Sequence, residues 1–186
     1  MRTLIFLALI FSSALVCHSQ SFRGLDKSPA DIAYLPDNFA HDRKPGEKAI
    51  AKVVYGRPLK KDRVIFGGIV PFDEVWRTGA NENTEITFYQ DVKFGDSDLK
   101  AGTYSLFTIP GKESWTIILN SDVNYWGAYS YDKEHDVIRI TAIPKENTET
   151  VEAFTIQFKM SGEESASMIM AWDNVQIEVP IEFAEN

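Results

Sequence analysis

The 186-residue sequence is poor in cysteine and histidine, on which thiol catalysis, most catalytic triads and many metal sites depend. It has one cysteine, Cys17, and only two histidines, His41 and His135, after its first twenty residues. It contains no G-x-S-x-G, H-E-x-x-H, P-loop or G-x-G-x-x-G motif. Beyond residue 20, a thiol nucleophile, a cysteine or histidine-cluster metal site and most catalytic triads are therefore excluded. We predict no metal site and no cofactor.

Residues 1–19 predict a secretory signal peptide. Arg2 precedes an apolar stretch, Thr3 to Val16, that is too short to cross a bilayer comfortably, and Ser19 supplies a small residue at the cleavage point. We therefore expect an exported protein, periplasmic or extracellular. Cys17 offers an alternative, a lipid anchor. This alternative is less favoured, because a lipid-bearing cysteine normally follows a small residue and Val16 stands there instead.

Positive charge is also scarce. The chain has 19 basic and 27 acidic residues, a net charge of −8, and loss of residues 1–19 removes Arg2 and no acid, giving −9. An acidic surface repels phosphates, so nucleic acid is excluded as a partner. No later apolar run is long enough for a transmembrane segment. The apolar share of 44% suffices for one hydrophobic core, and the oligomeric state is left open.

Alternating polar and apolar residues dominate the chain from Ala49 onward. Residues 154–158 and 175–183 both show this period of two, which is typical of strands with one buried face. Turn-forming pairs separate such runs, namely Gly95-Asp96, Pro110-Gly111, Ser161-Gly162 and Asp173-Asn174. The pattern predicts an all-β fold, a single antiparallel β-sandwich or barrel-like domain of about nine strands.

Three regions follow from this pattern. Residues 1–19 form the signal peptide, 20–48 an irregular N-terminal arm, and 49–186 the β domain. Within the domain, alternation is lost between residues 56 and 83, which predicts a long loop with one short helical turn near Pro71 to Arg77. Long connections in compact β domains often carry function.

Three segments combine glycine, arginine and aromatic residues: 55–58, 65–82 and 125–131. Arginine suits carboxylate, phosphate or sulfate, and tryptophan and tyrosine offer flat faces to sugars and aromatic ligands. The candidate ligand-binding residues are Tyr55, Arg57, Trp76, Arg77, Asn81, Glu82 and Trp126. A purely structural role competes with this interpretation: Trp76 would then fill the core, and Arg77 would pair with a carboxylate such as Glu74 or Glu82.

These segments also resemble a known family. Val75-Trp76-Arg77-Thr78-Gly79-Ala80-Asn81-Glu82, followed about twenty residues later by Ala101-Gly102-Thr103-Tyr104, is similar to the signature of domain of unknown function 2911. Arg57-Pro58, Ile65-Phe66-Gly67 and Trp126-Gly127 extend the likeness over roughly residues 28–183. The resemblance implies an exported protein of Gram-negative bacteria, and it brings no activity, cofactor or catalytic residue.

Three functions remain open, and neither enzyme nor non-enzyme is decided. The first is a cell-envelope binding module for a polar or anionic small molecule or a glycan. The second is a scaffold or interaction protein without a small-molecule site, which predicts an exposed apolar patch or sheet edge. The third is a carboxylate-dependent hydrolase that uses Glu82 with Asp73 or Glu74, because such a pair needs neither histidine nor cysteine.

Overall fold

The computed structural model describes residues 21–37 and 39–184, which fold into two antiparallel sheets. The predicted signal peptide and Cys17 lie outside the described residues. The fold is the all-β sandwich that the alternating pattern predicts. The described residues contain ten strands, one more than the approximate number expected.

The larger sheet has six strands in the order β1-β2-β3-β6-β7-β8. Their bounds are β1 Ala30–Leu35, β2 Ala51–Gly56, β3 Thr84–Phe88, β6 Gly102–Ile109, β7 Trp115–Asn120 and β8 Asp136–Ala142. The smaller sheet has the order β5-β4-β10-β9. Its strands are β4 Val92–Phe94, β5 Ser97–Leu99, β9 Lys145–Met160 and β10 Ser165–Phe183. A short helix, α1 Phe39–Asp42, and a 3₁₀ turn, Lys133–His135, complete the elements.

The core lies between the two sheets, where every second side chain of each strand points inward. Val53, Ile86 and Leu106 of the larger sheet are fully buried, and so are Phe94 and Ile181 of the smaller one. The neighbours of Ile86, Phe94 and Ile181 are partly or fully exposed, whereas both neighbours of Leu106 in β6, Ser105 and Phe107, are also buried. The alternation in the sequence therefore corresponds to side chains that point into the sandwich and side chains that point to solvent.

Three local features differ from the sequence-based predictions. Asp173 takes a positive φ of 55° at an irregularity inside β10, so the predicted Asp173-Asn174 turn is wrong: β9 pairs with β10 on both sides of it, and the strand continues. The predicted irregular arm contains β1, which pairs along its whole length with β2. Residues 71–77 form no helical turn, because Asp73 and Trp76 donate their N–H groups across to the carbonyls of Pro110 and Thr108.

Within the described residues, 21–37 and 39–184, we find no helix of the length and apolar character needed to cross a membrane.

Candidate functional site

The end of the long loop, residues 76–81, forms a compact turn against β6. Trp76 exchanges two backbone hydrogen bonds with Thr108, at 2.7 and 3.0 Å. The Thr78 hydroxyl donates to the Thr108 hydroxyl (3.2 Å), and the Thr78 carbonyl accepts a bond from the Thr84 hydroxyl (2.7 Å). Thr78 and Asn81 both have positive φ, 56° and 65°. The Trp-Arg-Thr-Gly-Ala-Asn run is thus a tightly bonded piece of structure.

Two of the predicted site residues, Tyr55 and Trp76, lie in the core. Trp76 stacks on Trp172, with 6.0 Å between ring centroids and 17° between planes, and it also contacts Phe154. Tyr55 is 3% exposed and donates its hydroxyl to the Ile156 carbonyl at 3.3 Å. These two rings therefore pack in the core and are not presented to a ligand. For Trp76 this is the structural role that the sequence analysis gave as the alternative.

Arg77 and Asn81 tie three chain segments together. Arg77 Nη1 donates to the Asn81 carbonyl (3.0 Å), and the Gly127 N–H donates to the same oxygen (3.0 Å). The Asn81 side-chain amide donates to Asp26 Oδ1 (3.0 Å) and to the Ser28 carbonyl (3.2 Å). Arg77 therefore bonds a backbone carbonyl, not the carboxylates of Glu74 or Glu82 that the structural alternative named.

Residues 122–131, here called the aromatic strap, are fastened to residues 81–85. The Tyr125 N–H donates to Asn83 Oδ1 (2.7 Å), the Asn83 N–H donates to the Tyr125 carbonyl (3.1 Å), and the Asn124 N–H donates to Glu85 Oε1 (2.6 Å). Glu82 and Trp126 form an isolated antiparallel bridge. Because these bonds are made by backbone groups of the strap, they hold it in one conformation, so its side chains are presented in fixed positions.

Trp126 and Tyr129 project from this strap into solvent, at 59% and 83% exposed. Between them, Gly127 has a φ of +73°, and a Cβ there would lie 2.8 Å from Tyr129 Cε2 and 3.2 Å from Arg77 Nη1. Only glycine lets the Tyr129 ring and the arginine approach this closely. We call the surface made by Arg77, Glu82, Trp126 and Tyr129 the aromatic platform. Three of these four were predicted from the sequence; Tyr129 was not singled out within 125–131.

Arg57, also predicted, belongs to a different neighbourhood. Its guanidinium donates to Asp31 Oδ2 (2.8 Å) and to the Thr155 hydroxyl (2.9 Å), and its buried Nε has no hydrogen-bond partner among the described residues. A cleft of about 220 Å³ beside it is lined in part by Asp31, Thr155 and Tyr55. Arg57 therefore joins β1 to β9 and contributes nothing to the aromatic platform.

The carboxylates proposed for a hydrolase lie next to different segments. Asp73 bonds through its backbone to Pro110, whereas Glu82 bridges to Trp126. Asp73, Glu74 and Glu82 are all exposed, and no described contact joins them into an acid–base pair. A cleft of about 800 Å³ lies at one end of the smaller sheet and contains none of the predicted site residues. The described residues also contain no group of three or more metal-ligating side chains.

Asp122, at the start of the strap, pairs with His135, which is exposed in the 3₁₀ turn Lys133–His135. His135 Nδ1 hydrogen-bonds to Asp122 Oδ2, and the Tyr125 hydroxyl donates to the same oxygen at 3.3 Å. The hydrogen bond and the charge of Asp122 raise the pKa of His135, and the same carboxylate raises the pKa of Tyr125. Thirteen residues separate the two partners, so no local motif reveals them.

We predict that His135 stabilises the protein in a pH-dependent manner. Because the folded pKa of His135 lies above its ordinary value of 6.5, its contribution is fully present below that value and is lost as pH rises through the raised pKa. The melting temperature of His135→Gln should therefore fall below that of the wild type at pH about 6 and match it at pH about 9. A difference that stays constant across this range would contradict the prediction.

A second network fixes the other end of the strap. Tyr131 donates its hydroxyl to Asp136 Oδ2 (2.7 Å), and Arg139 Nη1 donates to the same carboxylate oxygen (2.6 Å). Burial and the hydrogen bond to Asp136 raise the pKa of Tyr131 to about 12. Since both ends and the middle of the strap are bonded, the exposed rings of the platform rest on a rigid support.

The fold and the strap define a two-sheet β protein that displays a fixed aromatic surface. Comparison with known families places it further: the family model described as "Protein of unknown function (DUF2911)" matches residues 38–181, and the chain belongs to this family. The membership that the Trp-Arg-Thr-Gly-Ala-Asn segment indicated is therefore confirmed. No curated protein and no solved structure matches the chain.

Proposed function

We propose that this protein is a binding module of the cell envelope that holds a glycan or another polar or anionic small molecule on the aromatic platform. The observation that carries the proposal is the exposure of Trp126 and Tyr129, 59% and 83%, on a strap whose backbone N–H and C=O groups are hydrogen-bonded to residues 81–85. Exposed apolar residues are common one at a time, but aromatic rings grouped on one fixed segment are typical of an interaction site.

The chemistry of the platform suits a sugar. Sugar rings present flat C–H faces that pack on tryptophan and tyrosine, while their hydroxyls need donors and acceptors at the edge. The exposed Glu82 beside Trp126 accepts hydrogen bonds, and Arg77 beside Gly127 adds a positive charge. Because the strap is ordered before the ligand arrives, little conformational entropy is lost on binding.

Export is part of the proposal. The predicted signal peptide at residues 1–19 would deliver the chain to the compartment where envelope glycans occur. The ligand surface would be open rather than a deep cleft, which suits an extended polymer better than a small enclosed metabolite.

The test compares a double variant with a matched control. Trp126→Ala with Tyr129→Ala should weaken binding to oligosaccharides about ten-fold or more, with an unchanged melting temperature, because both rings lie in solvent. Phe22→Ala is the control, since Phe22 is 82% exposed but lies in the N-terminal arm. Calorimetry against a panel of neutral and acidic oligosaccharides measures the effect. Equal affinities for the double variant and the wild type would refute the platform as the site.

A scaffold or interaction protein is the second candidate. The observation that favours it is that Val123, on the same strap, is 39% exposed, so the apolar surface extends beyond the two rings. On this alternative no oligosaccharide of the panel binds saturably, whereas the double variant loses a protein partner that the Phe22→Ala control retains.

A further inference from the structure

A separate cleft of about 320 Å³ lies at the other end of β3 from the aromatic platform. Glu82 of the platform precedes β3, whereas Tyr89 of the cleft follows its last residue, Phe88. The side chains that form the cleft are aromatic and charged: Tyr34, Phe39, Glu47, Lys48, Lys52 and Tyr89. We call it the lysine cleft. Nothing in the proposed function uses it.

The aromatic walls of the cleft come from three elements. Tyr34 of β1 is the register partner of Lys52 of β2, so both side chains lie on the same outer face of the larger sheet. The Phe39 N–H donates to the Pro36 carbonyl (3.1 Å), which brings the Phe39 ring to 5.3 Å from that of Tyr34. Tyr89 is 52% exposed, and its N–H is bonded to the Ile50 carbonyl at 2.8 Å.

The two ammonium groups of the cleft are available to a ligand. The side chains of Lys48 and Lys52 form neither an ion pair nor a hydrogen bond with any other residue of the described ranges. The one carboxylate of the lining, Glu47, already accepts a hydrogen bond from the Lys44 N–H at 2.7 Å. Arg43 lies outside the lining, with its guanidinium 5.7 Å from the centre of the Phe39 ring. The lining of the cleft, in an otherwise acidic protein, therefore carries two cations and one carboxylate.

We propose that the lysine cleft binds a small ligand in which an anionic group, a carboxylate, phosphate or sulfate, is attached to a flat apolar ring. The ring would pack against Tyr34, Phe39 and Tyr89, and the anion would lie beside Lys48 and Lys52. The volume is at the lower end of the range of about 300–1,000 Å³ for small-molecule pockets, which suits a ligand with one ring.

Phenylphosphonate is a suitable probe because it joins one aromatic ring to one stable anion. We expect calorimetry to show saturable binding of phenylphosphonate, and binding about ten-fold weaker or absent for benzyl alcohol and for inorganic phosphate, each of which carries half of the recognition. The double variant Lys48→Gln with Lys52→Gln should weaken phenylphosphonate binding about ten-fold or more. Tyr89→Ser should weaken it without changing the affinity for inorganic phosphate.

Lys112→Gln provides the matched control, because Lys112 also lies over an aromatic ring, 5.8 Å from the centre of Phe72, but outside this cleft. Its binding should equal that of the wild type, and circular dichroism should show that all variants are folded. Three outcomes would overturn the proposal: no saturable binding at millimolar probe, equal binding of inorganic phosphate and phenylphosphonate, or unchanged binding by the lysine double variant. Loss of oligosaccharide binding at the aromatic platform would affect none of these results.

Discussion

Replacing Trp76 by alanine is expected to lower the free energy of unfolding by about 3–5 kcal/mol. Trp76 is 9% exposed and stacks on Trp172. Its ring also lies 5.1 Å from Phe154, and its indole N–H donates to the Gly79 carbonyl at 3.1 Å. The change therefore opens a cavity among aromatic rings and removes a buried hydrogen bond at the same time.

Urea unfolding followed by circular dichroism measures this effect, and Trp126→Ala is the matched control. Trp126 has the same side chain but is 59% exposed, so its removal should change the free energy of unfolding by less than about 0.5 kcal/mol. If Trp76→Ala instead kept its stability and lost ligand binding, Trp76 would be a site residue and the core assignment would be wrong.

Gly56→Ala is expected to destabilise the protein by about 3 kcal/mol or more, or to prevent folding. A Cβ at residue 56 would lie 2.0 Å from the Ala80 carbonyl oxygen and 2.8 Å from its carbonyl carbon. Both are backbone atoms of the turn that follows Trp76, and that turn is held by hydrogen bonds to β6 and the strap. Neither partner has room to move, so the clash must displace the end of β2 or the whole turn.

Thermal unfolding of Gly56→Ala beside Gly24→Ala separates this clash from a general effect of added methyl groups. Gly24 is exposed, and a Cβ there meets no atom within 4 Å. The Gly24 variant should therefore have the same melting temperature as the wild type. A Gly56 variant that also melted with the wild type would show that Ala80 does not pack on β2 in solution.

The fold class was predictable because strand alternation is a local property. Val175, Ile177, Val179 and Ile181 alternate with polar residues, and the structure places them in β10 with Ile177, Val179 and Ile181 fully buried. The Asp173-Asn174 pair has the composition of a turn, but continued pairing with β9 outweighs that local preference. A turn-forming pair of residues therefore ends a strand only where no neighbouring strand pairs on both sides of it.

The candidate site was predictable only in part. Arg77, Glu82 and Trp126 meet at the platform because the strap docks on residues 81–85, and glycine at 127 lets Tyr129 and Arg77 approach. The same residue types at Tyr55 and Trp76 became core, since β2 and the bridge between Trp76 and Thr108 place them between the sheets. Composition cannot separate an aromatic ring that fills a core from one that binds a ligand.

The sequence by itself determined the acidic character, the absence of thiol and histidine-cluster chemistry beyond residue 20, the all-β class and the family. Only the tertiary structure decided which aromatics are displayed, which cations are paired, and that Asp122 meets His135. The physical reason is the separation along the chain over which each property acts. Alternation and composition act between neighbours in the chain, whereas exposure and pairing depend on contacts between segments that lie far apart in sequence.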